Sequence, residues 1–108
     1  MAANGRRGEI AATIDGRECV LCLTLGALAE LENAFGAEDL GALGERFSSG
    51  RFSARDLIRI VAAGLRGAGE AVSDDEVASM KTENGIAGFA AIVAELLRVT
   101  FGGEARDP

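Results

Sequence analysis

The dipeptide Asp15-Gly16, set between two short β-prone runs, most constrains what this chain can fold into. Residues Glu9 to Ile14 (EIAATI) alternate apolar and polar, and Glu18 to Thr24 (ECVLCLT) is β-prone. Asp and Gly both tolerate the positive φ that a type I′ turn needs at its two central positions. With a two-residue loop, Ile14 pairs with Arg17, Ala12 with Cys19 and Ile10 with Leu21. Ile10, Ile14, Cys19, Leu21 and Leu23 then share one face, the pattern of a half-buried hairpin. A longer loop around Asp15, Gly16 and Arg17 would change that register, and both loops stay open at this level.

After Thr24 the apolar spacing changes from two to the helical period. Thr24 can cap a helix over Leu25 to Phe35, with Gly36 as its C′ residue and Leu28, Leu31 and Phe35 on one stripe. A second helix is expected over Asp39 to Phe47, ending in Ser48-Ser49-Gly50. Ser53 and Asp56 form a capping-box variant for a third, running to about Arg66. Leu57, Ile60, Val61, Gly64 and Leu65 make its inner face, and Arg55, Arg59 and Arg66 lie opposite. Ser73 and Glu76 form a second capping box for a short helix over Asp74 to Lys81. The last helix, about Gly85 to Phe101, carries Ile86, Phe89, Ile92, Val93, Leu96, Leu97 and Phe101, more than one stripe. A helix apolar nearly all round is either central to a core or buried in a partner. The predicted class is therefore α+β: an N-terminal two-stranded antiparallel β-hairpin followed by four to five helices.

No repeat or linker divides the 108 residues, so residues 1–108 read as one domain, with an ordered core over about 8–102. The ends, 1–7 and 103–108, are rich in small or charged residues and are expected to fray. With 48% apolar residues the chain can bury a core without a metal or disulfide. Its formal charge of −6 and the lack of a long basic run argue against nucleic-acid binding. No run of about 20 apolar residues is present to span a membrane. The start has no apolar h-region of a signal peptide, which points to the cytoplasm and reduced cysteines.

Chemistry finds few footholds. The chain has no His, Trp or Tyr. Cys19 and Cys22 form a C-x-x-C, but zinc would need two further soft or imidazole ligands that one chain does not supply. A redox C-x-x-C opens a helix, whereas this one sits in a strand. Asp74, Asp75 and Glu76 fill a helix first turn, where negative side chains favour the dipole. The glycines of Gly64 to Gly69 lack a phosphate loop's lysine and strand-then-helix setting. No catalytic, cofactor or metal site is expected. Partner-binding candidates are the arginine stripe Arg55, Arg59 and Arg66 and the last-helix residues Phe89, Val93, Leu96 and Leu97. Alanine and glycine on that helix equally suit core packing. The hairpin's edges offer a further place for a strand to add.

The run Leu23 to Gly36, L-T-L-G-A-L-A-E-L-E-N-A-F-G, resembles the small tail proteins of gene transfer agents, which are phage-like particles. The resemblance continues at Arg7-Gly8-Glu9, Asp15-Gly16-Arg17, Ser53 to Leu57, Leu65 to Gly69, Val72-Ser73-Asp74 and Ala94 to Leu97, covering nearly all of Arg7 to Gly102. It implies a non-enzymatic tail protein without a cofactor. Two roles go with it: a tail assembly chaperone on the tape-measure protein, or a structural component of the tail tube. Tube subunits of such tails form a ring through a continuous sheet, and two strands are few for that, so the chaperone is the first expectation. Incorporation into the particle and homo-oligomer formation belong to the second. A small metal-binding or regulatory domain, resting on the C-x-x-C, is a further alternative.

Overall fold

Strand β1 (Glu9–Ile14) and strand β2 (Arg17–Cys22) pair antiparallel in the computed structural model, which describes residues 3–102. Ile14 lies opposite Arg17, Ala12 opposite Cys19 and Ile10 opposite Leu21, so the loop has two residues. Asp15 and Gly16 have φ of 55° and 72°, both left-handed, as a type I′ turn demands. Ile10, Ile14, Cys19, Leu21 and Leu23 are all buried.

Among the described residues five helices follow: α1 (Leu25–Phe35), α2 (Leu40–Ser48), α3 (Ala54–Gly67), α4 (Asp74–Ala78) and α5 (Gly85–Phe101). Local signals fix most of their ends. Thr24 accepts from the Ala27 amide at 3.1 Å to start α1, and Gly36 stops it at a φ of 66°. Asp39 is extended and caps α2 by accepting from the Ala42 amide at 2.8 Å, so that helix begins one residue later than expected. Reciprocal capping boxes open α3 (Ser53 with Asp56) and α4 (Ser73 with Glu76). Helix α4 stops at Ala78, short of the expected Lys81. Lys81 is drawn away: its amide donates to the Asp15 carboxylate at 2.9 Å, and its carbonyl accepts the Asp15 amide at 2.8 Å.

The centre of the molecule is α3, which packs on β2, α1, α4 and α5. From Ile60 to Leu65 every residue is buried, so this stretch is enclosed on all sides. Glycines let it come close. A Cβ on Gly64 would stand 2.8 Å from Leu96 Cδ2 and 3.2 Å from Leu21 Cβ. One on Gly67 would overlap the carbonyl oxygen of Cys22. On the far side Phe47 meets Phe35, Phe52 and Phe101 at ring-centroid separations of 5.3, 5.9 and 6.2 Å, gathering four of the five phenylalanines.

The stretch enclosed on all sides lies in α3 rather than in α5. In α5 only Val93 and Leu96 are buried; Phe89, Ile92, Leu97 and Val99 are half-buried, and Ile86 and Phe101 are exposed along with four alanines. At the start, Gly5–Arg7 form a 3₁₀ turn, and the Glu9 amide donates to the Asn4 carbonyl at 3.0 Å. Residues 1–2 and 103–108, expected to fray, lie outside the described residues.

Candidate interaction surfaces

The arginines of α3 share a helix but not a task. Arg66 pairs with Glu30 of α1 at 2.7 Å and Asp74 of α4 at 3.2 Å, and donates to the Val72 carbonyl at 3.0 Å. It clamps three helices together, and its hydrogen bond to Glu30 raises its pKa further. Arg59 donates to the Ala34 carbonyl at the end of α1, at 3.3 Å. Arg55 alone has no bond to another group among the described residues. The three therefore do not act as one free cationic stripe: two of them hold the fold.

Sequence reasoning missed Arg46. It bonds the Asp56 carboxylate at 2.8 Å and the Arg51 carbonyl at 2.9 Å, and stands 5.3 Å from the Phe35 ring centroid. Burial alone would push the Asp56 carboxyl up. The Ser53 amide and Arg46 outweigh it and hold the group below the usual carboxylate range. Nothing local links positions 46 and 56, so the pair has no sequence signal.

The last-helix candidates also divide. Val93 and Leu96 are core residues, 1% and 0% exposed, so neither offers a surface to a partner in this conformation. Phe89 and Leu97 are half-buried. Phe89 helps line an apolar groove of about 390 Å³ with Leu57 and Ile58 of α3, Val77 of α4, Met80 and Ile86. Ile86 stands at 66% exposure there, and Lys81 is the charged lining residue. Each apolar residue was legible as a helix position. Their convergence from three elements was not, since periodicity assigns a face but not its neighbour.

Cys19 faces the core and Cys22 lies on the opposite side of β2, so the C-x-x-C does not converge. Burial pushes both thiols up, away from thiolate chemistry at neutral pH. Among the described residues, no group of three or more His, Cys, Asp or Glu is placed to hold a metal ion. No helix there is long and apolar enough to cross a membrane.

No curated protein and no solved structure matches the chain. A family model described as "Phage tail tube protein, GTA-gp10" matches residues 7–103. That span holds the hairpin and all five helices. The chain thus belongs to the phage tail tube protein family, GTA-gp10.

Proposed function

We propose that this chain is a non-catalytic structural component of a phage-like tail, acting through contacts with other tail proteins or further copies of itself. The observation that carries this reading is the match to the tail tube family over residues 7–103. The side chains fit it. Asp56, Asp74 and Glu76 are occupied in caps and ion pairs.

The fold itself favours a second reading, a tail assembly chaperone for the tape-measure protein. One two-stranded sheet is little material for a tube wall, while five helices and an apolar groove suit a helical client. Quantitative mass spectrometry of purified, mature particles separates the two. The structural reading predicts the chain in many copies, at a fixed ratio to other tail proteins. Absence from particles, with co-purification on the tape-measure protein during assembly, would overturn it in favour of the chaperone.

A further inference from the structure

The backbone of β1 leaves a short gap in its hydrogen bonding. Because Ile14–Arg17 closes the turn, the bonded pairs of the ladder are Ile14–Arg17, Ala12–Cys19 and Ile10–Leu21. The amides and carbonyls of Glu9, Ala11 and Thr13 therefore point outward, away from β2. The two ends of this edge are closed by the chain itself. The Glu9 amide donates to the Asn4 carbonyl at 3.0 Å, and just past the strand the Asp15 amide donates to the Lys81 carbonyl at 2.8 Å. Between them the outward groups of Ala11 and Thr13 have no partner among the described residues.

This open stretch borders a groove of about 300 Å³, walled on the other side by α5 and the residues before it, including Asn84, Gly88, Ala91 and Ile92. A free strand edge facing a helix is the geometry in which an extended segment adds as an extra strand. The usual protections of an edge are missing. From Ile10 to Ile14 there is no charge, no Pro and no bulge. The β2 edge differs: Arg17 and Glu18 stand on it, Arg17 pairs with Glu70 at 2.8 Å, and the Cys22 carbonyl is pressed against Gly67.

Charge narrows the occupant. The charged residues lining the groove are Glu83 and Glu95. Glu95 already holds Arg98 at 2.7 Å, and Glu83 has no partner among the described residues. Pairing β1 with β1 of a second copy would bring both sets of carboxylates to one seam, between two chains of net charge −6 each.

We propose that β1 accepts, along Ala11 and Thr13, a short extended segment of a partner protein that carries basic side chains toward Glu83. The proposal goes beyond the tail reading and holds for either tail role. The test titrates the isotope-labelled full chain with a capped peptide in which valine alternates with lysine, following backbone amide signals. The signals of Ala11 and Thr13 should move and their hydrogen exchange should slow. A valine–glutamate peptide, or the lysine peptide methylated on alternate backbone nitrogens, should bind at least about tenfold more weakly, the worth of one lost charge-assisted or backbone bond. Ala11→Pro removes an outward amide that the ladder does not use, so it should abolish binding with the fold intact. Glu83→Lys, on an exposed residue, should erase the preference for lysine even if Ala11→Pro misfolds. No shift at millimolar peptide, shifts centred elsewhere, equal binding of the methylated peptide, or self-association through these amides would each overturn the proposal.

Discussion

Asp56 shows how much one side chain can hold in a small domain. It completes the cap of α3 by accepting from the Ser53 amide at 3.0 Å, and it neutralises Arg46. Its folded pKa is depressed, so the stabilisation is full above the unfolded value of about 4 and is lost as pH falls through the folded value. Asp56→Asn should cost about 1–2 kcal/mol at neutral pH. In urea titrations the gap from the parent should stay constant above about pH 5 and close below about pH 4. A pH-independent gap would mean that the charge is idle. The cap was legible in the sequence because Ser53 and Asp56 are three residues apart. The partnership with Arg46 was not, since it exists only once α2 and α3 are packed. Gly67 makes the same point about backbone. In an open helix Gly→Ala would stabilise by up to about 1 kcal/mol. Here the added methyl meets the Cys22 carbonyl oxygen, a neighbour with little room to move. Gly67→Ala should therefore destabilise by about 1–3 kcal/mol, read as a lowered urea midpoint.

At the scale of the element, α5 teaches the clearest lesson. Its apolar residues suit either a core or a partner, and its exposed positions include Ile86 and Phe101 as well as Ala87, Ala90, Ala91 and Ala94. Periodicity weighs an alanine and a leucine alike as apolar, while burial responds to area. Leu96→Ala should cost about 2–5 kcal/mol, since it opens a cavity against α3 beside Gly64. Ile86→Ala should change stability by no more than about 0.5 kcal/mol, because its side chain stands largely in solvent. Thermal melts of the two variants decide this. Equal losses would put Ile86 in the core and remove the groove as an available surface. Helix α4 complements the case: its start was legible from Ser73 and Glu76, but its end was set by Asp15, 66 residues from Lys81 in sequence.

For the whole molecule, the order of hairpin and helices could be read because most boundaries carry a local signal: Asp15-Gly16, Thr24, Gly36, Ser53 and Ser73. The centrality of α3, the groove and the ties made by Arg46 and Arg66 could not, because they depend on which faces meet. The same division holds for function. Resemblance and family match converge on a phage-like tail. The apolar groove between α3, α4 and α5 emerged only from the structure, whereas the hairpin edge was legible as a place for a strand to add and the structure narrows it to Ala11 and Thr13. Electron microscopy of particles from a strain lacking this gene tests the tail assignment most directly. The expected result is heads without functional tails, restored by a plasmid copy of the gene. Tails of normal length and number in the deletion strain would contradict it.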